Sequence, residues 1–383
     1  MKQNSSLSMV HKIMIEFAHL TGLSPARKAP RRYLWTDAFA VCNFLGLYGQ
    51  TSDDKYKNLA LMLVDQVHNI LGRHREDDSR TGWISGLDEQ EGRMHPTKGG
   101  LRIGKPMNER SPSDRFDERL EWDRDGQYYH YLTKWMHALN RVSRVTADTI
   151  YNKWAIELAK IAHARFTYVP FSGVPSTGGQ KCMYWKMSID LSRPLVVSMG
   201  QHDPLDGDPA KSLDQDLNEE IIDMATICKG KSWVTDDPLG IGGLLCDAYK
   251  VAQMIISGYF EHIDLLETLL DSSLMGLESF TKMNPLKLPP DYRLAFRELG
   301  LSIGMRAVEK LHGLIEEKPN LFKKRYPLRE RIELLMQYTT LTEIIENLWL
   351  ERTSREAKSW IDHRDINMVM LATSLAPDGF LTL

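Results

Sequence analysis

The sequence predicts an all-α protein, a single (α/α)6 toroid of about twelve helices over residues 1–383, with one long insertion between residues 76 and 123. Three observations carry this reading. Apolar side chains recur at intervals of three and four residues nearly everywhere, which places them on one face of a helix. No alternating apolar run is long enough to compete as a strand. No repeat beyond the helix period appears, so a solenoid is disfavoured. At roughly 150 residues per domain, 383 residues make two or three ordinary domains or one large ring, and the helix count favours the ring.

The first helix is the amphipathic stretch Met9 to Leu20. Leu34, Ala38, Val41, Leu45 and Tyr48 mark the second, and Tyr56, Leu59, Leu63, Val67 and Ile70 the third, joined by the turn at 49–54. After the long insertion, Tyr128, Leu132, Trp135 and Leu139 pair with Ile150, Trp154, Leu158 and Ile161 as a second hairpin. Further helices are predicted at about 184–199, 211–229, 240–257, 262–281, 289–315, 328–352 and 359–376. Asp237-Pro238, Asn284-Pro285 and Pro289-Pro290 break the chain between several of them. With an outer first helix, the even-numbered helices line the ring, and their N-terminal ends converge on one face.

Composition narrows the function. Lys and Arg number 48 against 51 Asp and Glu, a net charge of -3, so no long-range field favours nucleic acid. The four cysteines, Cys42, Cys182, Cys228 and Cys246, show no CxxC spacing, so neither a zinc site nor a disulfide framework is expected. His11, Lys12 and Glu16 interrupt the stretch from Met9 to Leu20, and no run of 18 apolar residues occurs. The expectation is a cytoplasmic protein with no membrane or nucleic-acid partner and no cofactor or metal. Nothing in the sequence speaks to its oligomeric state.

Candidate chemistry gathers where inner helices begin. Asp37, in the Arg32-Tyr33-Leu34-Trp35-Thr36-Asp37 stretch, shares the apolar face with Leu34 and Val41. A carboxylate facing a core is costly unless it is paired, so it either transfers protons or partners a buried arginine. Capping the helix is the plainer role. The segment 121–130 mixes acids with aromatics, and Asp123, Gln127, His130, Lys134 and His137 read as one polar helical stripe beside Trp122, Tyr128 and Tyr129. Aromatic platforms next to hydrogen-bonding groups suit sugar rings; the alternative is a solvated helix face.

Gln201, His202 and Asp203 open a turn rich in carboxylates that lacks the EF-hand spacing. They read either as polar groups delivered to a pocket or as a plain turn. His363 sits at the start of the last inner helix, where a surface or capping histidine is the commoner case. The glycine-rich stretch from His95 to Lys105 carries Lys98, Arg102 and Lys105 but matches neither a Walker A loop nor a dinucleotide fingerprint. It is expected either to bind a substrate anion or simply to solvate a loop. No serine-nucleophile elbow and no metalloprotease motif is present.

With this helix count and these inner-helix carboxylates, the chain resembles the six-hairpin glycosidase superfamily. The resemblance is architectural and covers most of the chain, with no position-by-position signature. It implies either a glycoside hydrolase with paired carboxyls or an epimerase that uses histidines, and fold likeness alone does not choose between them. The leading expectation is a hydrolase with Asp37 and Asp123 as acid and base and Asp203 as substitute. Such carboxyls stand about 6.5–9.5 Å apart in inverting enzymes and about 5–5.5 Å apart in retaining ones. Trp35, Trp122 and Trp185 would stack on the sugar. Gln127, His130, Gln201, His202, His363 and Arg102 would bind it. The other expectations are a sugar epimerase or isomerase working through His130, His202 or His363, and a non-catalytic carbohydrate-binding toroid.

Overall fold

A computed structural model of the chain describes residues 2–169, 181–197, 217–258, 263–318 and 326–383, with 67% helix and 4% strand. The all-α expectation therefore holds. The chain divides into two compact units, residues 1–17 with 232–383 and residues 18–231. Helix α1 (Lys2–Leu20) runs across that division in sequence.

In the 18–231 unit, α2 (Leu34–Thr51) pairs with α3 (Asp54–Leu71) across the turn at Ser52, whose left-handed backbone lets its N–H reach Tyr48 O. Asp53 caps α3 by accepting from the Lys55 N–H. α2 is buried almost all round because it packs on α3 and also on α6 (Tyr129–Thr146), which pairs in turn with α7 (Ile150–Phe166). Two short helices, α4 (Glu89–Met94) and α5 (Glu118–Asp123), lie in the long insertion, each capped by an aspartate, Asp88 and Asp117. Helix α8 (Asn218–Cys228) follows at the far end of the unit.

The helix predicted at 184–199 is not present in its described part. Residues 127–128 (β1), 186–187 (β4) and 194–196 (β5) form an antiparallel sheet in the order β1-β4-β5, with Gln127 opposite Met187 and Tyr128 opposite Lys186. A second pair joins 167–168 (β2) to 182–183 (β3). Lys186, Met187, Ser188 and Ile189 are all buried, so the segment carries neither a helical period nor a strand alternation. Pro194, which cannot donate to a ladder, begins the edge strand.

The insertion is tied down by contacts with residues on either side of it. Arg73 lies over the Trp83 ring at 4.1 Å, Trp154 donates its indole N–H to Met94 O at 2.8 Å, and Thr97 donates to Trp154 O at 2.8 Å. His95 Nδ1 meets Glu157 at 2.6 Å. Arg80 gathers Asp78, Glu109 and Asp190 at 2.6–2.9 Å, and its guanidinium holds the Asp78 carboxyl well below the usual range.

The other unit centres on α9 (Pro238–Ile256) and α11 (Ala295–Glu317), which pack against each other; α10 (Ile263–Met283) pairs with α9. Pro238 at the first turn and the Asp237 side chain on the Gly240 N–H start α9. Its hydropathy and length would suffice to cross a bilayer, but half of the apolar window is buried inside the fold. The helices expected at 328–352 and 359–376 are each interrupted, giving Tyr326–Met336 and Thr340–Leu350, then Lys358–Asp362 and Arg364–Leu375. Inside this unit Glu298 accepts from Arg293 Nε and Nη2 at 2.6–2.7 Å and from the Trp349 indole N–H at 2.8 Å. Glu346 takes Arg306 at 2.8 Å and the Ser374 hydroxyl at 2.7 Å.

Candidate functional site

The starts of α2 and α6 are joined by a run of aromatic rings. Trp35 is 6.4 Å from Tyr131, which is 5.2 Å from Tyr128 and 4.7 Å from His130. His130 stacks on Trp185 at 6.2 Å, and Trp185 meets Trp122 edge-on at 5.4 Å. Four predicted substrate-binding residues, Trp35, Trp122, His130 and Trp185, thus fall in one continuous array. It begins in the core at Trp35, 5% exposed, and ends at Trp122, 47% exposed. Tyr33 and Tyr131 hydroxyls meet at 2.8 Å; burial first, with nearby Tyr128 and Asp125, keeps the Tyr33 phenol neutral far above neutral pH. Tyr128 is raised in the same way, by burial.

The predicted polar stripe is divided between elements. Asp123 ends α5, Gln127 lies in β1, and His130 opens α6. The break comes at Gly126, whose φ of +145° suits glycine and turns the chain from the short helix into the strand. Asp123 is exposed, and its carboxylate makes no hydrogen bond or ion pair among the described residues.

Other predicted residues have their polar atoms engaged by the protein. Asp37 is 1% exposed, accepts from the Tyr33 N–H at 2.9 Å and lies 3.5 Å from Arg32, the buried partner that the sequence allowed for. Gln127 takes the Leu101 N–H and donates to Gly99 O and Ile189 O, which clamps the insertion to the sheet. Arg102 donates to Arg73 O, Ile70 O and Asp125. His363 belongs to the other unit, where it lies edge-on to Phe296 at 5.5 Å. Gln201, His202 and Asp203 lie outside the described residues.

Two charged residues that the sequence reading passed over organise the site. Asp125 is fully buried and accepts from Arg102, Arg75 and the Gly104 and Gly126 N–H groups at 2.9–3.3 Å. Its one sequence signal is the following glycine, whose short turn frees the amide. Lys186 is also fully buried. It donates to Glu121 O, the Glu121 carboxylate and Arg124 O at 2.7–2.9 Å and lies over the Tyr128 ring at 5.5 Å, while burial pulls its pKa down. Both groups are satisfied internally and hold the segment around β1 in place.

The array therefore offers ring faces, an accessible tryptophan edge and an uncommitted carboxylate at Asp123. Among the described residues, no group of three His, Cys, Asp or Glu side chains is arranged to hold a metal. Comparison with protein-family models, curated proteins and solved structures returns no match to this chain.

Proposed function

We propose that the protein is a carbohydrate-active enzyme built on an (α/α)6 toroid, a glycoside hydrolase in which Asp123 is one of two proton-transferring carboxyls. The observation that carries this reading is the aromatic array from Trp35 to Trp122, with the exposed residue Asp123 next in sequence to its outer end. Sugar rings present C–H faces to aromatic rings and hydroxyls to polar neighbours, and an array of this kind meets both demands. The toroid is supported within each unit by helices that touch two kinds of neighbour. α2 packs on its hairpin partner α3 and on α6, and α9 packs on α10 and α11, while strands at 186–187 and 194–196 take the place of one of the twelve expected helices. Asp37 is so fully engaged by Arg32 and the Tyr33 N–H that its first role is to fix the start of α2; the second carboxyl is then Asp37 or Asp203.

Hydrolysis requires one carboxyl to protonate the leaving oxygen and another to activate water or attack the sugar carbon. Turnover of an oligosaccharide and aryl-glycoside panel by wild type and Asp123→Asn tests the assignment. Loss of a proton-transfer group should lower kcat by about 10²–10⁴-fold. Because the replaced carboxylate is exposed and has no partner among the described residues, stability should stay within about 0.5 kcal/mol of wild type. Full activity in the variant would remove Asp123.

A second reading, a sugar epimerase, is favoured by His130 standing inside the array against Trp185. Imidazole suits proton transfer at carbon near neutral pH. Solvent deuterium incorporated into a sugar without bond cleavage would select it over hydrolysis.

A further inference from the structure

We infer that the saccharide carries an oxyanion, recognised by Lys105; this rests on the carbohydrate reading above and names the substrate class. The Lys105 ammonium lies 5.4 Å over the Tyr33 ring, at the inner part of the aromatic array, and is only partly exposed. It makes no hydrogen bond or ion pair among the described residues. The cations around it are all committed: Arg102 and Arg75 to Asp125, Lys186 to Glu121, and Arg32 to Asp37. Among the described residues Lys105 has no direct partner for its charge, since Asp123 and Asp125 act on it only through space.

The backbone that carries Lys105 is fixed. Leu34 N–H donates to Ile103 O, Ile103 N–H to Gly126 O, and Asp125 N–H to Met107 O, at 2.7–3.0 Å. Arg75 donates to Lys105 O at 2.6 Å and to Pro106 O at 2.8 Å. Gly104 approaches Arg32 O so closely that a Cβ would stand 2.2 Å from it. A tightly held backbone presenting a partly desolvated, unpaired ammonium beside sugar-stacking rings is an anion receptor arranged before the ligand arrives. Burial and the nearby Lys186 charge both work against the ammonium, and an arriving oxyanion relieves that cost.

The oxyanion is either a uronic carboxylate or a sulfate ester on an otherwise neutral sugar, and binding distinguishes them. Tryptophan fluorescence of the full chain would be titrated with glucuronic, galacturonic and mannuronic oligosaccharides, their carboxyl-reduced counterparts, and sulfated neutral counterparts. The proteins would be wild type, Lys105→Gln and Lys105→Arg, each checked for native helix content. Wild type should bind one anionic series at least about tenfold tighter than its neutral counterpart. Lys105→Gln should erase that preference while leaving neutral-sugar affinity within about twofold, and Lys105→Arg should retain most of it. Neutral and anionic sugars bound equally by wild type, or a preference that survives in Lys105→Gln, would overturn the inference and leave the carbohydrate reading standing. Absence of binding to every saccharide would overturn both.

Discussion

His68 shows how a single buried side chain makes the fold sensitive to acid. Its ring is enclosed between Trp135 and Trp154, and its Nε2 accepts the Trp135 indole N–H at 3.1 Å. That bond needs the neutral ring, and burial lowers the pKa from 6.5 to about 3. Below pH 6.5 the unfolded chain takes up a proton that the folded chain refuses until about pH 3, so stability falls as pH drops through that window. Between pH 7.5 and 5 the loss from this residue alone should be about 2 kcal/mol. In His68→Gln, which keeps an acceptor for Trp135 without titrating, denaturant unfolding should show that much less pH dependence, and parallel curves would show that His68 does not titrate this way. Its significance was hidden in the sequence, since a histidine in the last turn of a helix reads equally well as a dipole partner. Asp125 and Asp123 present the same difficulty. They lie two residues apart, and only the fold shows that the first is bound by two arginines while the second is exposed.

Helix spacing found the long helices because their burial follows the 3.6-residue period, as in α3, where Leu59, Leu63, Val67 and Leu71 are buried. It failed at 184–199, where residues 186–189 are buried in succession and a register with β1 decides the conformation. The α9–α11 crossing was equally hidden, because it depends on what is absent from the side chains. A Cβ at Gly242 would stand 2.0 Å from Gly300 O, and one at Gly304 2.6 Å from Gly242 Cα. Gly243, next in the same helix, has nothing within 4 Å. Gly242→Ala should therefore cost about 1–3 kcal/mol by forcing the helices apart. Gly243→Ala should add about 0.5–1 kcal/mol by restricting the unfolded chain. Equal effects of the two in denaturant titrations would contradict the close crossing.

Charge balance across the chain accounts for what the protein should not bind. The 48 basic residues face 51 acidic ones, and many pair locally, as at Arg80, Arg293 and Arg331. Polyanion affinity grows with the number of phosphates neutralised by lysine and arginine, so a chain of this balance should show no mobility shift with duplex DNA at micromolar protein and about 150 mM salt. A shift there would point to a basic face that the net charge of -3 conceals. Composition and helical periodicity were enough to establish the all-α class and to single out Trp35, Trp122, His130 and Trp185, which the fold gathers into one aromatic array. The tertiary structure alone decided which polar groups are spent. Asp37, Gln127 and Arg102 go to arginine, backbone and buried carboxylate, while Lys105 and Asp123 find no partner among the described residues. Hydrogen-bond partners come from segments distant in sequence, and no local pattern carries that information.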